Sequence, residues 1–209
     1  MHKAYRKSAV KQHTVPTNFG VTDSGNPFKV LSEPQKMPCP TFSIPARKAC
    51  PFAVFGENAI CSDCYACKGR YQMPNVIAPR MARFAWVCES LKTQNGRADL
   101  VRRIVEAIKA TNTKYFRGHD SGDVFNPQYV QVWVDICSQL PDVRFWFPTR
   151  AWQDGTGKPN RRMLTALREL ATLPNVVVRP SALYFGDCAP RVHGLSAGST
   201  ASHAETASG

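Results

Sequence analysis

Three times between residues 96 and 180 the chain passes from a helical pattern into a short run of β-formers. GRADLVRRIVEAIKA, with Leu100, Ile104 and Ile108 at helical spacing, precedes KYFRGH (114–119). PQYVQVWVDICSQL carries Pro127 near its start, where proline is tolerated, and precedes VRFWFP (143–148). NRRMLTALRELA, with Met163, Leu164, Leu167 and Leu170 on one face, precedes NVVVRP (175–180). Pro141 and Pro174 stop the second and third helices shortly before the next strand. Strands joined through helices run parallel, with right-handed crossovers. The expected fold class is therefore α/β: a partial (β/α) barrel or a small open parallel sheet with helices. TFSIP (41–45) is a candidate further strand, and PNVIAPRMARFAWVCESL (74–91) contains a further helix.

The 209 residues suffice for one domain with a full core. Residues 1–26 are basic, then polar, without a convincing period, and are expected to form a flexible arm. Residues 191–209, ending in GLSAGSTASHAETASG, are small and polar and are expected to be a disordered tail. The intervening 27–190 form a single α/β domain with a cysteine-rich loop in its N-terminal half. No apolar run approaches the ~18 residues of a membrane span, and the basic N-terminus lacks the apolar stretch of a signal peptide. The expectation is a cytoplasmic chain with no membrane partner.

In a reducing compartment, clustered cysteines bind metal or do redox chemistry more often than they form disulfides. Of the eight cysteines, Cys61, Cys64 and Cys67 form C-x2-C-x2-C, with Cys50 upstream and followed by Pro51. Two-residue intervals let tight turns aim several sulfurs at one centre. Ferredoxin-type segments grip a [4Fe–4S] cluster with such a run and a distant Cys-Pro. The rival is a four-cysteine zinc site, whose ligands usually come as two separated C-x2-C pairs. Arg47, Lys48, Lys68 and Arg70 lie nearby and are expected to lower the thiol pKa values. Cys88 and Cys137 read as small buried hydrophobes within helices, and Cys39 and Cys188 as substitute ligands in loops.

In parallel α/β folds ligands bind beyond the carboxyl ends of the strands. The first strand ends in Arg117, His119, Asp120, Ser121 and Asp123; the second in Thr149 and Arg150, followed by Trp152; the third in Arg179 and Ser181. This set is expected to form a pocket for an anionic or hydrogen-bonding small molecule. Arg117, Ser121, Arg150 and Arg179 would bind substrate. His119, Asp120 and Asp123 would be the catalytic candidates, His119 first because its ordinary pKa lies near neutrality. The alternative is that these groups cap helices and form internal ion pairs, with Asp120 or Asp123 in the N-cap region of the next helix. Between residues 27 and 190 there is no Walker loop, no GxGxxG after a strand, no G-x-S-x-G and no H-E-x-x-H, which argues against P-loop nucleotide hydrolysis, dinucleotide oxidoreduction and serine hydrolysis in that domain.

FSIPARKACP, ICSDCYACKGRY, YFRGHDSGD, RFWFPTRAW and NVVVRPSA together resemble the phage gene product 88-like family, in order across about residues 28–187. The resemblance implies a phage or prophage origin, hence a host cytoplasm, and an α/β domain, but little about activity. It carries over Cys50, Cys61 and Cys64, followed by Tyr65-Ala66, whereas the position of Cys67 is often not cysteine in the family. Three thiolates would leave one iron open to water, substrate or S-adenosylmethionine. Four would close the cluster and favour a structural or electron-transfer role. The spacing is also similar to that of gene product 37/68-like phage proteins on a radical-SAM-like barrel, although the compact C-x3-C-x2-C of most radical-SAM enzymes is absent.

Three functions follow as expectations. The first is a radical-SAM-like or redox enzyme. The second is a nucleic-acid-binding or regulatory module with a structural or redox-sensing cluster, in which Arg80, Arg83, Arg102 and Arg103 meet phosphate. The third is a zinc-stabilised interaction protein. The formal charge of +12 suits an anionic partner but names none.

Overall fold

The computed structural model describes residues 29–34 and 37–202. The expected arm at 1–26 lies outside the described residues. Helix α1 (Pro74–Ser90) is followed by α2 (Gln94–Ala110), strand β1 (Tyr115–Arg117), α3 (Pro127–Ser138), β2 (Arg144–Thr149), α4 (Arg161–Ala171) and β3 (Val176–Pro180). The strands form an open parallel sheet in the order β1-β2-β3. Of the two expected forms, this is the open sheet. The candidate strand at 41–45 is reduced to a single parallel bridge between Thr41 and Arg117, continued by the Ile44 N–H, which donates to the Ser121 carbonyl at 3.1 Å.

Local chemistry sets the helix starts. Side-chain oxygens of Thr93, Asn126 and Asn160 accept the N–H groups of Gly96, Tyr129 and Met163, capping α2, α3 and α4. Phe116, Phe145, Phe147, Val176 and Val178 face the helices and join Leu100, Ile104, Trp133, Ile136, Leu167 and Leu170 in one buried cluster. The alternate positions on the strands point the other way, as a period of two requires. Tyr115, Trp146 and Val177 there are 60%, 39% and 39% exposed.

The turn after β1 packs closely on its neighbours. A side chain at Gly118 would strike the Phe147 ring at 2.1 Å, and one at Gly122, where φ is +83°, would meet Ile44 at 2.4 Å. Residues 191–202, where the small, polar composition predicts disorder, run beside β3 instead. The N–H groups of Ser196 and Ser199 donate to the carbonyls of Val178 and Pro180, and that of Ala182 to the Ser199 carbonyl. Backbone pairing needs no large side chain, so composition alone misses it. No described helix is long and apolar enough to cross a membrane.

Candidate metal centre and the carboxyl end of the sheet

Short turns build the cysteine segment. The Cys50 N–H donates to the Arg47 carbonyl at 3.2 Å, Ser62 to Ala59 at 2.9 Å, and Cys67 to Cys64 at 2.9 Å. Cys64 leads into a 3-10 turn over Tyr65–Cys67, and a second covers Gly69–Gln72. The segment is tied to the C-terminal end of β3 through the Ile60 N–H on the Leu183 carbonyl at 2.9 Å.

None of the eight cysteines is in a disulfide. Burial pushes the Cys50 thiol up, and Asp123 and then Cys64 and Cys61 push it further. Cys64 is raised by burial first, with a hydrogen bond to Cys67 and the proximity of Cys61 adding to it. Cys61 and Cys64 thus lie near enough to act on Cys50, and Cys61 and Cys67 on Cys64. Among the described residues, no group of three or more His, Cys, Asp or Glu side chains is placed to hold a single metal ion.

The lowering expected from nearby cations is not found at Cys50 and Cys64, whose thiols are both raised. Lys68 pairs with Asp63, Arg47 lies 5.3 Å over the Phe55 ring, and Lys48 acts on Cys88. Of the substitute cysteines, Cys39 lies near Arg117 and Cys188 is exposed. Cys137 is fully buried in α3, and Cys88 is half-buried in α1.

Beside the thiols stands a buried polar joint centred on Asp120. Its carboxylate accepts from the Ser43 hydroxyl and from the Tyr71 hydroxyl at 3.1 Å, and lies 3.9 Å from the Arg80 guanidinium. Its backbone carbonyl accepts from the Tyr65 hydroxyl, one residue beyond Cys64. Arg80 stacks 4.3 Å over the Tyr71 ring. Arg83 donates to the carbonyls of Lys29, Ser43 and Leu31, and burial lowers its pKa to about 10. Arg80 and Arg83 therefore serve the interior, while Arg102 and Arg103 pair with Asp99 and Glu106 along α2. Arg80 and Arg83 are thus turned inward, not outward as expected, whereas Arg102 remains 54% exposed within its ion pairs.

Other strand-end residues bind backbone. Asp123 accepts from the N–H groups of Val124 at 2.7 Å and Arg150 at 2.8 Å, and burial raises its carboxyl pKa. Ser121 donates to the Ile44 carbonyl at 2.9 Å, and Arg150 to that of Ala182 at 2.9 Å. Trp152 donates to the Ser181 carbonyl at 3.0 Å, and the Thr149 hydroxyl accepts from the Ala151 N–H at 2.9 Å.

His119 is enclosed by Phe42, Tyr129, Trp133 and Phe147, stacked on Tyr129 at 5.6 Å. Its Nδ1 donates to the Phe42 carbonyl at 2.7 Å. Burial lowers its pKa to about 4, against the opposing pull of that hydrogen bond and of Asp120. It sits in the core as a neutral ring rather than on an open rim.

The structure thus sets Cys64 near Cys61, Cys67 and Cys50, ties Tyr65 and Tyr71 to Asp120, and leaves Arg117 and Arg179 among the sheet residues. Tyr71 and Ser43 are partners of Asp120 that motif reading misses, and Arg80, expected at phosphate, joins them instead. One signal was available: Arg80 and Arg83 share the buried face of α1 with Trp86, Val87 and Ser90. Charges on a helix's buried stripe need an internal partner.

A family model described as gene product 88 matches residues 4–187. Neither the curated proteins nor the solved structures contain a match to the chain.

Proposed function

The chain belongs to the gene product 88 family, and from that premise we propose that it is a phage-type iron–sulfur protein. Cys50, Cys61, Cys64 and Cys67 would hold one [4Fe–4S] cluster at the carboxyl end of β1. The observation that carries this reading is the C-x2-C-x2-C run of Cys61, Cys64 and Cys67, folded so that Cys61 and Cys64 lie close enough to act on Cys50, from a separate stretch of chain. The donor set is all sulfur, which suits iron–sulfur and zinc alike. A cluster asks less of the spacing than a single ion does, because each thiolate binds its own iron.

The bound cluster would supply one-electron redox chemistry. The chain's own part is to shape and hold the site. The Tyr65 hydroxyl ties the 61–67 loop to the Asp120 carbonyl, and Tyr71 ties the next turn to the Asp120 carboxylate. Because Cys50 and Cys64 hold their protons above the ordinary thiol range, loading must release protons and should weaken as pH falls. Four cysteine ligands favour electron transfer or a structural role. An enzyme using S-adenosylmethionine would need one iron free of Cys67.

The test is anaerobic purification followed by iron, sulfide and zinc analysis, visible absorption and electron spin resonance. About four iron and four sulfide per chain are expected, with loss of both in Cys50→Ser, Cys61→Ser and Cys64→Ser. Zinc without sulfide would overturn the reading. A Cys67→Ser protein that keeps its cluster and changes its spin signal on adding S-adenosylmethionine would move the site to the open, enzymatic form.

A further inference from the structure

The face of the sheet turned away from the helices carries an arrangement that the cysteine site does not use. The register places Tyr115 beside Arg144, Trp146 between Arg117 and Val177, and Pro148 beside Arg179. Paired residues in a parallel ladder share a face, and neighbours along a strand on that face stand about 6.7 Å apart. The exposure of Tyr115, Trp146 and Val177 makes this an aromatic and apolar patch set among arginines.

The arginines here differ from those on the helices. Among the described residues, no carboxylate pairs with Arg117, Arg144 or Arg179. The Arg179 Nε is shielded from solvent and lacks a hydrogen-bond partner among the described residues. The Arg117 guanidinium lies 4.8 Å over the Trp146 ring and is anchored by donation to the His119 carbonyl at 2.9 Å. A cation thus lies against one side of the Trp146 ring.

We propose that this face binds a short single-stranded segment of nucleic acid, with bases stacking on Trp146 and Tyr115 and phosphates meeting Arg117, Arg144 and Arg179. Aromatic rings on an open sheet, interleaved with guanidiniums, form a stacking platform for unpaired bases. A duplex hides its base faces and cannot use such a platform. Charge selects this occupant over two others. A second copy would bring the same arginines against themselves. The chain's own residues 1–28 carry Lys3, Arg6, Lys7 and Lys11 against Asp23, and so share the sign of the face.

The full chain should be titrated against fluorescein-labelled oligothymidylate, oligouridylate and a mixed-sequence duplex by anisotropy, at several salt concentrations. Both single strands should bind more tightly than the duplex. Trp146→Ala should weaken them by about five-fold to a hundred-fold, the range for losing one stacked base, while Trp146→Phe keeps most of the affinity. Arg144→Gln and Arg179→Gln should each reduce the slope of log K against log salt by about 0.7. Arg102→Gln, on α2, should change nothing. Equal affinity for duplex, unaltered binding in Trp146→Ala and Arg144→Gln, or no binding at low salt would each overturn the proposal. So would a concentration-dependent dimer abolished by Arg144→Gln, which would make the face a contact between copies.

Discussion

From Leu100 to Val178, the side chains of three helices and three strands close into one apolar core, whereas between Cys50 and Met73 only Val54, Ala59 and Ala66 are buried. The first region is stabilised by removing large side chains from water. The second has almost nothing of that kind: Val54 and Ala59 form a small cluster with Leu183, and the rest is turns and polar ties. A loop of this composition keeps its shape only if something other than apolar burial fixes it. The Asp120 joint provides one such fastening, and the proposed cluster would provide the other.

The sharpest attack on this contrast is to hollow out the first region. Trp133 is fully buried and touches Phe42, Phe116, His119, Tyr129 and Phe147. Trp133→Ala should lower unfolding stability by about 3–5 kcal/mol, measured by denaturant titration. Phe42 lies in the segment leading to Cys50, so the loop should be lost in the same transition. A drop below about 1 kcal/mol, far under the range for emptying a buried tryptophan site, would mean the helical half is not the foundation of the fold.

The next effect is reversible with pH. His119 is buried neutral with a pKa near 4, below the ordinary value of about 6.5 that it regains on unfolding. A depressed native pKa contributes stability that is complete above pH 6.5 and disappears as pH falls through 4. The loss is on the order of 3 kcal/mol. Asp123 acts oppositely, because its raised carboxyl pKa favours the folded state as acid protonates it. Comparing wild type with His119→Asn isolates the histidine: the variant's stability should vary less between pH 6.5 and 4. Parallel curves would place His119 somewhere less enclosed than the core.

The same contrast explains what could be read from residues alone. The strands at 114–119, 143–148 and 175–180 and the four helices were legible because apolar periodicity reports burial, and this half is built by burial. Proline and asparagine at the start of α3 sharpen its boundary. The candidate strand at 41–45 looked apolar enough, but its backbone turns to the Ser121 carbonyl after the two bridges at Thr41, to Ser32 and to Arg117. Pairing partners leave no trace in a segment's own pattern. The spacing of the cysteines is visible in the sequence whatever they bind, and the basic residues near them misled. Lys68 and Lys48 are close in sequence, yet their charges act on Asp63 and Cys88. His119 misled similarly, since a strand-end histidine reads as catalytic until the four rings around it are known.

The smallest effect tests the hinge between the two regions. Asp120→Asn keeps the shape of the side chain but removes the charge that faces Ser43, Tyr71 and Arg80. Hydrogen bonds to a charged acceptor are worth more than neutral ones, so the cost should be about 2 kcal/mol. The place of that loss matters more than its size. The Tyr65 tie runs to the Asp120 backbone carbonyl and survives in the variant, while the Tyr71 tie weakens. Amide exchange should therefore quicken most at Gly69–Gln72, less at Tyr65–Cys67, and little in β2 or α3. Exchange that rises equally in all of these would show one cooperative unit. The thin apolar packing of the cysteine segment would then carry no consequence of its own, because the sheet and helices would be holding it through contacts other than Asp120.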